Sequence, residues 1–169
     1  MSLAAGSFLI RDFRADDAAA LGQIALAAFR QFETHYDNWP AIADSVSRLP
    51  ALAETGEIIV AEVGGQVAGG VAYIPPGKPK AAFFDPSWPI IRTLVVDPRR
   101  HGRGIGRALA EECIRRGRRD GSPLIALHTS PIMTVALPMY LRMGFTFRCD
   151  VPPIHGVPYA VYTKDLHDA

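Results

Sequence analysis

Three glycines alternate within residues 102–106, between an apolar run that ends at Val96 and a segment of helical apolar spacing that begins at Ile105. Glycine lets the backbone adopt positive φ and approach a ligand closely. The first N–H groups of a helix have no partner within the helix, and they lie at the positive end of its dipole. A strand, a glycine-rich turn and a helix in this order therefore predict a site for a phosphate or pyrophosphate.

The spacing excludes two common phosphate-binding motifs. A P-loop needs a lysine and then Ser or Thr after its last glycine, but Ile105 follows Gly104 and Arg107 follows Gly106. A dinucleotide-binding fingerprint needs G-x-G-x-x-G, and neither Gly102 nor Gly104 has a glycine five residues later. The phosphate ligand must therefore belong to another class of site.

Residues 96–109 resemble motif A of the GNAT acyltransferase superfamily, whose usual form is V-x-P-x-x-[RQ]-G-x-G-[IV]-G-x-x-L. One position departs from this form, because His101 stands where the family usually has Arg or Gln.

Residues 136–145 have the form A-x-x-x-Y-x-x-x-G-F, which resembles motif B of the same superfamily. Motif B alone is a weak signal, but its place one predicted strand after motif A makes the pair specific.

The resemblance implies that the chain uses acetyl-CoA, without a metal, and that a primary amine attacks the thioester directly in a ternary complex. The pyrophosphate would bind the backbone N–H groups from Gly102 to Gly106, and the pantetheine amides would bind an unpaired strand edge. A backbone N–H near Val95 would polarise the thioester carbonyl. Met133 stands where many members have Asn, and it packs without hydrogen-bonding the cofactor. The residues assigned to acetyl-CoA are Leu94, Val95, Val96, His101, Gly102, Arg103, Gly104, Ile105, Gly106, Arg107 and Met133.

Two proton transfers accompany this reaction, because the amine must lose a proton and the departing thiolate must gain one. Tyr140, the tyrosine of motif B, is assigned as the acid that protonates the thiolate. An ordinary phenol has a pKa of about 10, close to that of a thiol, so the proton is easily shared. The alternative is that Tyr140 is a core residue on the apolar face of its helix.

The sequence leaves the base open. Many relatives place a glutamate on the central strand, four residues before its last valine, but this chain has Arg92 there. A guanidinium does not accept a proton at neutral pH. Arg92 could instead contact an acidic acceptor or pair with a neighbouring carboxylate. The candidates for the base are Glu33, His35, Asp85, His128, His155 and water.

Selection of the acceptor is predicted to lie in three segments, residues 32–39, 75–88 and 151–158. Residues 75–88 form a long predicted loop, and such loops in compact domains are commonly functional. The three segments together predict a mostly apolar, aromatic pocket. They leave the amine open among a small metabolite, a drug, a polyamine and a protein N-terminus. The aromatic residues that they carry include Tyr36, Trp39, Phe83, Phe84 and Trp88.

Composition favours one globular domain, which we place at residues 7–169, after a disordered lead at 1–6. The chain has 169 residues, of which 49% are hydrophobic and 21% charged, with a mean hydropathy of +0.10, so it can bury a core. No apolar run reaches the ~18 residues of a membrane span. No signal-peptide pattern opens the chain, and two cysteines favour neither a disulfide framework nor a zinc site. These features predict a cytoplasmic protein.

Charge is uneven along the chain, although the net charge is only +1. Eight arginines lie within residues 99–119. Those at 99–107 surround the predicted anion site, and those at 115–119 are expected to be a solvated helix end, where cations suit the dipole. Aromatic residues that could stack on bases are not interleaved with the first group, so nucleic acid is a disfavoured partner.

The order of elements predicts an α/β (α+β) GNAT fold. Its central sheet is expected to be mixed and mostly antiparallel, with about seven strands and a splayed parallel pair, flanked by about four helices. Gly64 and Gly65 predict a tight hairpin turn between the strands at residues 57–63 and 66–74. Pro138 predicts a kink or a late start in the helix that follows Ser130. Residues 151–158 are predicted to be a proline-rich loop before the last strand.

Two other classes of function stay open. The first is an acyl-CoA-binding sensor or accessory domain without turnover, which His101 and the missing glutamate favour and Tyr140 argues against. The second is a protein-binding or nucleic-acid-binding module that uses the arginine-rich helix. Dimers are common among the relatives, so a homodimer is compatible with the resemblance.

Overall fold

The computed structural model describes residues 7–167. The expected lead at 1–6 and the last two residues of the predicted domain, 168–169, lie outside the described residues. The strands are β1 (Leu9–Asp12), β2 (Glu57–Val63), β3 (Gln66–Ile74), β4 (Ile90–Val96), β5 (Leu124–Thr129), β6 (Thr146–Ile154) and β7 (Val157–Asp165). The α-helices are α1 (Ala18–Phe29), α2 (Trp39–Ser47), α3 (Ile105–Arg119) and α4 (Ala136–Arg142). Short 3₁₀ turns lie at Ala15–Asp17, Arg30–His35, Leu49–Glu54 and Pro98–Arg100.

The strands form one seven-stranded sheet in the order β1-β2-β3-β4-β5-β7-β6. Among the described strands, β4 and β5 are parallel and every other neighbouring pair is antiparallel. This sheet and its four flanking helices confirm the predicted fold. None of the helices in the described part of the chain has the length and apolar character needed to cross a lipid bilayer.

Both faces of the sheet are covered, and this is why its central strands are apolar along most of their length. The side chains of β2 alternate between two cores. Ile58 and Val60 pack on the side of α1 and α2, whereas Ile59 packs on the side of α3 and α4. The two cores fix the position of β4, the strand from which the candidate site is built.

The predicted hairpin is confirmed to the residue. Strands β2 and β3 have the predicted bounds, and Gly64 and Gly65 have φ values of 56° and 81° between them. A two-residue hairpin of this kind needs positive φ at both positions, which glycine adopts without a steric penalty.

The predicted loop at residues 151–158 is wrong. Strand β6 continues through Pro152 and Pro153 to Ile154, and a two-residue turn at His155 and Gly156 leads directly into β7. Proline lacks the N–H that a central strand needs, but β6 lies at the edge of the sheet, where one side of the strand has no partner. The register also shifts between Val151 and Ile154, which accommodates the prolines.

Helix α4 begins later than Ser130, which is one of the two outcomes predicted from Pro138. It starts at Ala136, so Pro138 lies in its first turn, where a missing N–H breaks no helical hydrogen bond. Gly144 follows the helix with a φ of 98°, a conformation that often ends helices.

The expectation that the arginines at 115–119 are a solvated helix end is wrong for Arg116. Its side chain is buried, and its guanidinium lies 2.6 Å from Asp12, 2.8 Å from Glu57 and 2.9 Å from Glu112. These carboxylates belong to β1, β2 and α3, so Arg116 connects the C-terminal half of α3 to the far edge of the sheet.

Candidate active site

Strands β4 and β5 separate soon after they meet. Ile90 and Ala126 are the one register pair between them. The N–H of Ala126 donates to the carbonyl oxygen of Pro89 at 3.0 Å, immediately before this pair. Beyond Ile90, the edge of β4 that faces β5 is therefore open to an added chain of amides.

A β-bulge lies on β4 where the strands separate. Gly70 pairs with Val95 and Ala72 pairs with Arg92, so two residues of β4 stand opposite one residue of β3. One of those two, Thr93, has a φ of 55°, which is strained for a β-branched residue. The bulge redirects the backbone of β4 next to the open edge.

The glycine-rich turn presents a row of backbone donors. Gly102 and Gly104 have φ values of 77° and 80°, and both are exposed. Within the described residues, no acceptor binds the N–H groups from Gly102 to Arg107, and the first paired N–H is that of Ala108. A β-carbon on Gly102 or Gly104 would meet no atom within 4 Å, so space is open above the turn.

Asp97 holds the start of this turn. Its carboxylate is buried and accepts the backbone N–H of Arg99 at 3.0 Å and the guanidinium of Arg99 at 2.9 Å. These contacts lower the pKa of Asp97, so it stays ionised. Its own N–H donates to the carbonyl oxygen of Ala68 on β3 at 2.8 Å. The turn is therefore anchored to the sheet.

The arginines around the turn differ in their partners. Arg99 pairs with Asp97, and Arg107 pairs with Glu111 at 2.8 Å. Arg103 forms no ion pair with any residue between 7 and 167. It is exposed beside the unpaired N–H groups, so its charge is available to an anion.

A cavity of about 370 Å³ lies at the separated strands, within the size range of small-molecule sites. Leu94 connects this cavity to the glycine-rich turn, because it lines the cavity and its Cδ2 lies 3.6 Å from the place of a β-carbon on Gly106. Residues that line the cavity include Phe29, Tyr36, Ile42, Phe83, Phe84, Ile90, Arg92, Thr93, Leu94, His128, Met133, Tyr140, Ile154 and Tyr159.

Tyr140 on α4 is one of these lining residues. Its side chain is 5% exposed, and its ring packs edge-on against Phe145, with the ring centroids 5.6 Å apart. The hydroxyl has no hydrogen-bond partner among the described residues, and burial raises the pKa of this phenol. A neutral phenol with a free O–H at a cavity wall can donate a proton or a hydrogen bond to a bound molecule.

Arg92 and His128 are two further titratable residues in the cavity lining. Arg92 is half-buried and forms no ion pair within residues 7–167. The Nδ1 atom of His128 is buried and has no hydrogen-bond partner in the described part of the chain, and burial together with the Arg92 charge lowers the pKa of His128 to about 4. His128 is therefore neutral near pH 7.

Aromatic rings surround His128. Its ring centroid lies 5.3 Å from that of Phe83, 5.7 Å from that of Phe84 and 5.3 Å from that of Tyr159. The hydroxyl of Tyr159 is hydrogen-bonded to that of Tyr36 at 2.5 Å. This contact joins β7 to the segment before α2, and both tyrosines line the cavity.

The site residues predicted from the sequence differ in burial and in whether they line the cavity. Leu94, Met133 and Tyr140 line the cavity, whereas Val95 is buried in the sheet. The Met133 sulfur accepts a hydrogen bond from the hydroxyl of Thr129 at 3.3 Å. Among the assigned residues of the turn, Ile105 is buried, Gly106 is half-buried, and His101, Gly102, Arg103, Gly104 and Arg107 are exposed.

Of the side chains proposed as bases, His128 lines the cavity and the others do not. Glu33 faces Arg30 at 3.9 Å, Asp85 accepts from the hydroxyl of Ser87 at 2.7 Å, and His155 lies 3.9 Å from Asp37. All three predicted acceptor segments do reach the cavity, through residues that include Tyr36, Phe83, Phe84 and Ile154, but Trp39 and Trp88 are not in its lining.

Sequence reasoning missed Thr93 and Tyr159. The bulge at Thr93 depends on how β4 pairs with β3, and an apolar strand pattern carries no signal for it. Tyr159 follows directly after the predicted acceptor segment 151–158. An aromatic residue so close to that segment was the available signal.

Solved structures share this fold with the chain. The protein yncA from Salmonella typhimurium, determined with its cofactor acetyl-CoA, is 19% identical, with 96% of each chain covered and a TM-score of 0.72. A ribosomal-protein-alanine N-acetyltransferase from Brucella melitensis is 19% identical, with 93% of this chain and 99% of that chain covered and a TM-score of 0.71. At these identities the likeness shows the fold.

The fold and the glycine-rich turn define the class of protein to which the chain belongs. The sequence profile of the Acetyltransferase (GNAT) family matches residues 18–145, from the start of α1 to the end of motif B. The chain is therefore a member of the GNAT acetyltransferase family. No protein of curated function matches the chain by sequence.

Proposed function

We propose that this chain is an N-acetyltransferase that transfers the acetyl group of acetyl-CoA to a primary amine by direct attack. One observation carries the proposal. Leu94 lies against Gly106 of the unpaired N–H row and also lines the cavity of Tyr140, so the proposed pyrophosphate site and the proposed acid are adjacent. Membership of the GNAT family supports the same activity.

The residues present suit acetyl-CoA. The N–H groups of Gly102 to Arg107, at the start of the 15-residue helix α3, would hold the pyrophosphate, with Arg103 nearby. The open edge of β4 from Ile91 to Val96 would hydrogen-bond the pantetheine amides. Met133 would contact the arm by packing. The bound thioester supplies an acetyl group that an amine can accept.

Groups of the protein then stabilise the charge that develops on the carbonyl oxygen and transfer two protons. As the new C–N bond forms and the C–S bond breaks, the thiolate takes the proton of the Tyr140 hydroxyl. A backbone N–H at the β4 bulge, near Val95, stabilises the negative charge that develops on the carbonyl oxygen. The attacking nitrogen becomes strongly acidic once it is bonded to carbon, and the neutral imidazole of His128 accepts its proton. His128 is assigned because it lines the cavity and its imidazole is neutral near pH 7.

A free-thiol assay with acetyl-CoA and a panel of amines tests this function. We expect CoA release that depends on the amine and one acetyl group added to the amine by mass. Binding of acetyl-CoA without CoA release from any amine would contradict the proposed activity and would support a sensor. Salt-sensitive binding to DNA or RNA without any effect of CoA would instead support a nucleic-acid-binding module.

A further inference from the structure

Arg92 carries an unbalanced charge in the cavity wall. No aspartate or glutamate lines this cavity, and Arg92 has no carboxylate partner among residues 7–167. A half-buried guanidinium loses part of its hydration, and this loss is costly unless an anion or another acceptor compensates for it. The cavity therefore has a positive site that the protein itself leaves without a counter-ion.

Arginines with a structural role in this fold form ion pairs with carboxylates, in contrast to Arg92. Arg11 lies 2.8 Å from Asp17, and Arg119 lies 2.7 Å from Glu57. Arg116, which is buried, contacts three carboxylates. Because the fold pairs these arginines closely, an unpaired arginine at the cavity is better explained by a ligand than by packing.

The surroundings of Arg92 indicate what the rest of the ligand resembles. The facing groups are aromatic or neutral, with His128 uncharged near pH 7 and Phe83, Phe84 and Tyr159 arranged around it. Such walls favour an apolar or aromatic group. A volume of about 370 Å³ suits a small molecule.

We propose that the acceptor is a small amine that also carries a carboxylate and an apolar or aromatic side chain, as an α-amino acid does. The planar guanidinium of Arg92 binds the carboxylate through paired hydrogen bonds. The rings around His128 pack on the side chain, and the amine faces the β4 bulge at Thr93. This inference rests on the proposed acetyl transfer and adds the chemical class of its acceptor.

Matched sets of amines test whether the enzyme recognises the carboxylate of the acceptor. L-phenylalanine, L-leucine and L-methionine are compared with their amides and with the amines that lack the carboxylate. For at least one free amino acid, we expect kcat/KM to be more than about tenfold higher than for its amide and for the amine that lacks the carboxylate. The difference should arise mainly in KM, because Arg92 binds the carboxylate. Equal rates for the three members of every set, or acetylation of other amines alone, would overturn the inference and leave the proposed transfer intact.

Variants of Arg92 assign the preference to this side chain. Arg92→Met should abolish the preference for the free amino acid, and Arg92→Lys should retain part of it. Arg118→Met is the matched control, because Arg118 is exposed on α3 and does not line the cavity. A preference that survives in Arg92→Met would overturn the assignment.

A binding experiment keeps the two proposals distinguishable. The protein with bound CoA is titrated calorimetrically with the three amino acids and with their amides. If no amine is ever acetylated, the proposed function fails, and binding of an amino acid that Arg92→Met abolishes would still support the carboxylate site. Equal binding of the amino acids and the amides, or no binding of either, would overturn that site as well.

Discussion

The side chains of Arg92 on β4 and His128 on β5 line one cavity, although their strands share a single register pair. The burial of the imidazole and, to a smaller extent, the charge of Arg92 favour neutral His128 and lower its pKa to about 4. The cavity at the separated strands is proposed to hold the ligand, and burial beside Arg92 sets the protonation state of the group proposed to take the amine proton.

This pKa predicts how stability depends on pH. The folded protein protonates His128 near pH 4, whereas the unfolded chain does so near 6.5. Between these values the unfolded state binds more protons, so the free energy of unfolding falls as the pH falls, by at most about 1.4 kcal/mol per pH unit. Urea unfolding at several pH values measures this slope.

His128→Leu is the control for the pH experiment, because it removes the titrating group. Asp17, Asp97, Glu112 and Asp120 have lowered pKa values, and they lose stabilising charge below pH 4.5 in both proteins. The difference between the two proteins from pH 6.5 to 4.5 therefore isolates His128. Identical slopes in that range would contradict a depressed pKa for His128.

Tyr140→Phe tests the proposed acid. Removal of the hydroxyl should lower kcat by more than about tenfold, because the thiolate must leave without its proton donor. Affinity for acetyl-CoA should stay similar, since the ring and its packing on Phe145 are kept. Tyr162→Phe is the matched control, because Tyr162 packs against Phe147 outside the cavity. Unchanged turnover in Tyr140→Phe would remove Tyr140 from the mechanism.

Gly104→Glu tests the anion site. A carboxylate at this exposed turn would place a negative charge among the N–H groups proposed for the pyrophosphate, so binding of acetyl-CoA should be lost. Gly121→Glu is the matched control, because Gly121 has a similar φ of 71°, against 80° for Gly104, and an equally open β-carbon position. Gly121 lies after the end of α3, away from the glycine-rich turn that precedes this helix. Equal acetyl-CoA affinity in both variants would contradict the assignment of the turn.

Arg116→Met tests the buried ion-pair cluster. The variant leaves the carboxylates of Asp12, Glu57 and Glu112 facing one another without their shared cation. Because these carboxylates are partly exposed, we expect a loss of about 2 kcal/mol in the free energy of unfolding, below the range for fully buried pairs. Arg115→Met, at an exposed arginine that pairs with Glu112, should change stability little. Equal effects in the two variants would contradict a special role for Arg116.

The features that could be predicted from sequence are those in which local residues decide the structure. Gly64 and Gly65 define the β2–β3 turn because both need positive φ, and the bounds of that hairpin followed to the residue. The glycine-rich turn before α3 was predicted for the same reason. In these segments, the geometry depends on neighbours in the chain.

The features that could not be predicted depend on partners distant in sequence. The bulge at Thr93 arises from pairing with β3, and the burial of Arg116 arises from carboxylates on β1 and β2. Pro152 and Pro153 suggested a loop because they disrupt central strands, but β6 is an edge strand, and the order of strands is not a local property. The unpaired state of Arg92 likewise emerged only from the assembled cavity.

Calorimetric titration with acetyl-CoA, with ATP and NAD as controls, tests the central claim most directly. The account predicts micromolar binding of acetyl-CoA and no comparable binding of ATP or NAD, because ATP and NAD lack the pantetheine arm proposed to bind the open edge of β4. Absence of acetyl-CoA binding, or equal binding of all three ligands, would contradict the assignment of the glycine-rich turn and of the site built beside it.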